Sequence, residues 1–262
     1  MKVVGLCSFY DESPTWLAAH PAACAKLVDH MIYVDGAYVL YDKDGASSGV
    51  EAHDAIARGC HAAGIGHTLY VPSTPWMGNE VEKRAFMFRL AESMTTEDDW
   101  YCVIDADTFL THGDRELARH DLATGDFDAY NVELLERYDW NVGQDGALII
   151  PQQGEGASSM ASSKLTCVFR AIRGLTVRGA HYLFGYDDPD AKWGFRALWG
   201  PQTEYDVAPA GDLQLEFEHW SKFRPADRRK AAETYYRVRD DARIEQTTRQ
   251  FVETVDGDIA KL

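Results

Sequence analysis

The 262-residue sequence has no run approaching the roughly 18 uninterrupted apolar residues that a membrane-spanning helix needs. It also lacks a signal-peptide pattern at its N-terminus, which reads as a strand, so a cytoplasmic location is expected. No G-x-G-x-x-G follows the first strand-like run, which argues against a dinucleotide-binding enzyme. The cysteines, Cys7, Cys24, Cys60, Cys102 and Cys167, are odd in number and scattered. That spacing fits neither a disulfide framework nor a zinc site, and core thiols are expected. Positive charge is scarce as well. Against 42 Asp and Glu stand 26 Lys and Arg, a formal net charge of −16. Nonspecific binding to nucleic acid or to an anionic membrane surface is therefore disfavoured, and any anionic ligand must be held by local charge. Much of the basic charge crowds between Lys222 and Arg249.

What is present is ample apolar material, 45% of residues, in a pattern that alternates between strand and helix. Residues 2–9 form a short apolar run closed by the polar turn Tyr10 to Pro14, with Ser13 and Pro14 suited to start a helix. Strands are then predicted at 31–35, 67–72 and 100–105, with helices from about Val50 to Ala63 and from Asn79 to Met94 between them. Such alternation implies parallel pairing through right-handed crossovers, with ligands at the carboxyl ends of the strands. Further on, strands are expected at 126–134, 165–172 and 175–184. The glycine- and serine-rich stretch 140–164 reads as a mobile loop and 225–262 as helical.

The sharpest chemical feature is Asp105-Ala106-Asp107. Two carboxylates one residue apart, where the apolar WYCVID strand ends, offer hard oxygen ligands to Mg2+ or Mn2+, cations that commonly bridge to substrate phosphates. In order and spacing over residues 1–112, a first strand ending in Asp11 and Glu12, a second ending in Asp35 and Gly36, a basic pair Lys83 and Arg84, and VIDADT resemble the GT-A glycosyltransferases, family 2-like members above all. The resemblance implies an α/β fold, a single GT-A-like domain over 1–262 with a mainly parallel sheet flanked by helices. It would comprise a nucleotide-binding half (1–112), an acceptor half (113–224) and a C-terminal helical segment (225–262).

It also implies roles. Asp11 and Asp35 would contact the nucleoside, and Lys83 or Arg84 would lie near the nucleotide. Asp105 and Asp107 would hold Mn2+ or Mg2+ against the donor diphosphate, Asp107 more directly. Within EFEHWSKFR, His219 resembles the late third metal ligand of such enzymes, with Lys222 and Arg224 placed to neutralise the leaving diphosphate. MIYVDGAY departs from the commonest pattern in lacking a second acidic residue and a serine after Asp35. The implied activity is metal-dependent transfer of a sugar from a nucleotide sugar, UDP sugars being the commonest in the family, to an unknown hydroxyl acceptor.

An inverting transfer needs a carboxylate base, for which Asp187 and Asp188 in GYDDPD, and Glu216 or Glu218, are the candidates. A phosphatase of the haloacid dehalogenase type also uses two aspartates one residue apart, but Phe109 stands where that motif wants Thr or Val. A non-catalytic sugar-nucleotide-binding protein is the remaining alternative.

Overall fold

The computed structural model describes residues 1–39, 45–76, 80–137, 141–142, 148–149, 160–178, 183–187, 195–200, 207–220, 224 and 230. The chain begins with strand β1 (Val3–Ser8), helix α1 (Pro14–Cys24), β2 (His30–Val34), α2 (Val50–Ala63), β3 (Gly66–Tyr70), α3 (Glu80–Glu92) and β4 (Trp100–Val103). Next come β5 (Thr108–Gly113), α4 (Arg115–Thr124), β6 (Ala129–Arg137), β7 (Asn141–Val142), β8 (Leu148–Ile149) and β9 (Met160–Arg170). The last described strands are β10 (Leu175–Arg178), β11 (Leu183–Tyr186), β12 (Arg196–Trp199) and β13 (Gly211–His219).

This is an α/β protein built on a large central sheet flanked by helices. Eight strands lie in the order β3-β2-β1-β4-β9-β6-β13-β5. The strands of the first half pair in parallel. Of these, β1, β2 and β4 are apolar nearly throughout because both faces of the sheet are covered there, β4 being buried along its whole length, whereas the edge strand β3 is partly exposed. The second half is mixed: β9 runs antiparallel to β4 and β6, β13 parallel to β6, and β5 antiparallel to β13. Parallel pairing is thus the rule where strand and helix alternate, and gives way where strands follow one another without crossover helices. Separate sheets join β10-β11-β12 and β7-β8.

Local chemistry sets the helix ends. Pro14 opens α1, as its lack of an N–H predicts, although Ser13 makes no side-chain cap bond. Gly64 ends α2 in the left-handed region at φ 69°, its N–H reaching the Cys60 and His61 carbonyls. Asp114 caps α4 by accepting from the Glu116 and Leu117 amides. No described helix is long and apolar enough to cross a membrane.

Several elements depart from the sequence expectation. Residues 175–184 are not one strand: β10 and β11 are antiparallel neighbours. Residues 160–164, expected within a mobile loop, extend β9 and pair with β6, while most of 140–159 lies outside the described residues, as do Asn79 and all of 225–262 but Lys230. Strands β5 and β13 were not foreseen. They matter most for the site, because β5 leaves the end of β4 for the far edge of the sheet and β13 runs back beside it. Helix α4 anchors this return to the first half, with Arg115 Nη2 donating to the Ala23 carbonyl (3.1 Å) and Arg119 Nη1 to that of Leu27 (2.8 Å).

Candidate functional site

The acidic turn continues β4 directly. Ile104 N donates to the Leu6 carbonyl at 2.9 Å, and Thr108 N closes the turn onto the Asp105 carbonyl at 2.9 Å. Between them the two aspartates part company: the Asp105 side chain is 39% exposed, whereas that of Asp107 is 2% exposed. Each meets its own arginine. Arg84 Nη2 donates to both Asp105 oxygens at 2.8 Å and also grips Glu80, one helical turn back. Arg224 Nη2 lies 3.0 Å from Asp107 Oδ2 and 2.6 Å from Glu12 Oε1, and its Nε donates to Glu12 Oε2 at 3.2 Å.

Strand β13 delivers His219 to the same place. His219 pairs with Thr108 in the β13–β5 ladder, and Trp220 N donates to the Asp107 carbonyl at 2.7 Å. The His219 imidazole therefore stands beside the aspartate, Nε2 being 3.3 Å from Asp107 Oδ2. Among the described residues, neither this nitrogen nor Arg224 meets the geometry of a hydrogen bond to that oxygen, which is buried. Burial would push the Asp107 carboxyl up, but the Arg224 guanidinium and His219 overcome it and hold the group at about 2. Burial likewise works against charge on Arg224, and Asp107 and Glu12 more than offset it, so its pKa is raised.

Aromatic rings wall the cluster. Trp220 packs on Phe109 (centroids 4.7 Å) and edge-on to Trp16 at the start of α1 (6.0 Å). His20, fully buried, contacts Phe109 and shares a hydrogen bond of 3.0 Å with the Tyr33 hydroxyl. Burial drives its imidazole down to about 4, against the pull of the nearby Asp105 and Asp107.

The residues expected at the nucleotide are arranged differently from one another. Asp11 is exposed in the left-handed region at φ 50°, its N–H donating to Ser48 Oγ (2.8 Å). Asp35 is fully buried with both oxygens engaged: Oδ1 accepts from Gly36 N (2.6 Å) and Ser48 Oγ (2.7 Å), Oδ2 from Ser48 N (2.8 Å) and His53 Nε2 (2.7 Å). Its carbonyl accepts from Trp76 Nε1 at 2.9 Å. Gly36 permits this at φ 121°, where a Cβ would lie 2.6 Å from that same indole nitrogen. The Asp35 carboxylate therefore shapes the loop after β2. Lys83 is 1% exposed, with Nζ donating to the carbonyls of Phe9 (2.5 Å) and Gly36 (2.9 Å). It clasps the ends of β1 and β2 together, and it is Arg84, not Lys83, that reaches the acidic turn.

Among the proposed bases, Glu218 is 4% exposed and accepts from Trp220 Nε1 at 3.3 Å. Glu216, more exposed, faces His112 at 3.6 Å. Asp187 directly follows β11 of the separate three-stranded sheet and is paired with Arg178 at 2.6 Å. Asp188 and Lys222 lie outside the described residues.

Asp107 Oδ2 and His219 Nε2 fit one divalent cation. Adjacent ligands of an ion with bonds of about 2.1 Å stand about 3 Å apart, close to the separation seen, and a buried oxygen without a hydrogen bond among the described residues is suited to a cation. Among the described residues, no group of three His, Cys, Asp or Glu side chains is assembled around one point, and Asp105 is paired with Arg84.

No protein-family model matches the sequence, and no curated protein sequence matches it either. Among solved structures the chain is similar to residues 1–349 of S. aureus TarS, at 12% identity and a TM-score of 0.47, over 96% of this chain and 71% of that one. It is also similar to 4-diphosphocytidyl-2C-methyl-D-erythritol synthase (14% identity, TM-score 0.34) and to CMP:2-keto-3-deoxy-manno-octonic acid synthetase complexed with CTP (9% identity, TM-score 0.34). Each of these two matches covers 65% of this chain and 75% of the other.

Sequence reasoning missed several members of the cluster. Glu80 carried a usable signal, its i,i+4 spacing to Arg84. Glu12 was legible only as a strand-end acid; the left-handed turn at Asp11 is what leaves Asp11 exposed and Glu12 buried. Nothing local distinguishes His20, Ser48 or His53, whose roles arise from long-range contacts.

Proposed function

We propose that this protein is a metal-dependent glycosyltransferase that moves a sugar from a nucleotide-sugar donor, a UDP sugar in the first instance, to a hydroxyl acceptor. The observation that carries the reading is the buried Asp107 Oδ2, which has His219 and Arg224 within ion-pair distance yet accepts no hydrogen bond among the described residues. It lies at the carboxyl ends of parallel strands, where α/β sheets bind ligands. Asp107 and His219 would hold Mn2+ or Mg2+, and Asp105 would join them on release from Arg84. Such an ion supplies positive charge to the diphosphate as the sugar–phosphate bond breaks. Arg84 and Arg224 would bind the same phosphates, offering in a strongly acidic protein the local positive charge an anionic donor requires.

The test is a thermal-shift screen of UDP, GDP, CMP and TDP sugars with and without Mn2+, followed by calorimetry on the best pair. Metal-dependent stabilisation that vanishes in Asp107→Ala, with the fold retained, is the expected result. Sugar-nucleotide binding indifferent to Mn2+ and to Asp107→Ala would sink the proposal, as would turnover of a phosphate monoester without any sugar nucleotide.

A further inference from the structure

The two buried carboxylates nearest the proposed cation position share one counterion. Glu12, from the turn after β1, and Asp107, from the turn after β4, are 3% and 2% exposed, and Arg224 bridges them at 2.6 Å and 3.0 Å. The bridge uses the same Asp107 oxygen that stands 3.3 Å from His219 Nε2. A divalent ion seated between Asp107 and His219 would lie within a few ångströms of the Arg224 guanidinium, with little water between them to weaken the repulsion. On the other side, Asp105 already has Arg84 on both oxygens. Each aspartate of the pair is thus neutralised within the chain, and a free cation arriving alone must displace a guanidinium from its aspartate, leaving Arg224 to Glu12 or Arg84 to Glu80, and must sit beside that charge.

A nucleoside diphosphate changes this balance, because its oxygens can take the guanidinium in the forked geometry that Arg224 now uses on Glu12. We propose that Arg224 is a selectivity latch: it excludes free divalent cations from Asp107 and His219 and yields only to a cation arriving with a nucleoside diphosphate, so that the ligand recognised is the metal–diphosphate complex. This rests on the functional reading above. It goes beyond it in assigning Arg224 a role before the donor binds, and in making metal and nucleotide binding strongly and reciprocally coupled.

The experiment follows free Mn2+ by electron paramagnetic resonance during titration into the full chain, with and without UDP. The wild-type protein should leave Mn2+ largely free until UDP is added. The double variant Glu12→Gln/Arg224→Gln removes one buried charge of each sign and keeps Asp107 and His219. It should bind Mn2+ alone at least about tenfold more tightly than wild type, with much of the dependence on UDP lost. Arg224→Lys keeps the charge but not the fork and should fall between the two, which gives a readout should the double variant not fold. Equal affinity for Mn2+ alone in wild type and variants would overturn the latch while leaving the transferase reading intact. Absence of Mn2+ uptake even with UDP, in wild type and variants alike, would overturn both.

Discussion

Trp220 N donates to the Asp107 carbonyl at 2.7 Å, a single backbone bond that fastens the end of β13 to the turn after β4. It holds the preceding residue, His219, against the Asp107 carboxylate. Replacing His219 with Ala should therefore weaken Mn2+ binding in the presence of UDP by about ten- to a hundredfold, a loss like that seen when a group supporting a metal site is removed. Stability should change little, because the ring is 28% exposed and the backbone clasp survives. Calorimetric titration of Mn2+ into the UDP-saturated variant checks this, and parental affinity would remove His219 from the site.

Asp35 is expected to behave as a structural carboxylate. It accepts four hydrogen bonds with no exposure, so Asp35→Ala strands the Ser48 and Gly36 amides and should cost about 3 kcal/mol or more in urea denaturation. Nucleotide affinity should fall with the folded fraction and recover under stabilising conditions. Full stability with lost nucleotide binding would point instead to direct contact with the nucleoside.

His20 makes the fold sensitive to acid. Its imidazole is lowered from 6.5 to about 4 in the native protein by burial, so the unfolded chain binds the proton more readily. The stability this represents is complete above about pH 6.5 and is lost as pH falls toward 4, up to about 3 kcal/mol in all. His20→Phe, which keeps a ring between Tyr33 and Phe109, should flatten the dependence of the unfolding free energy on pH in that window. An unchanged slope would show that other groups set the acid limit.

The order of strands and helices over the first hundred residues, and the acidic residues that end those strands, are legible in the amino-acid pattern alone. Apolar runs, Pro14 and the WYCVID strand end act within a few residues of themselves, so periodicity and turn chemistry suffice to read them. Which of these groups meet depends on how distant segments pack. A strand register is a property of two segments, so β5 at the far edge and β13 beside it could not be read from either alone. The same holds for charge: Lys83 and Arg84 are buried neighbours on one helix, yet one reaches two backbone carbonyls and the other Asp105. Glu12, Asp107, His219 and Arg224 are ordinary polar residues in sequence. Packing brings them within 3.3 Å of their partners, and burial there turns solvated charges into a coupled cluster.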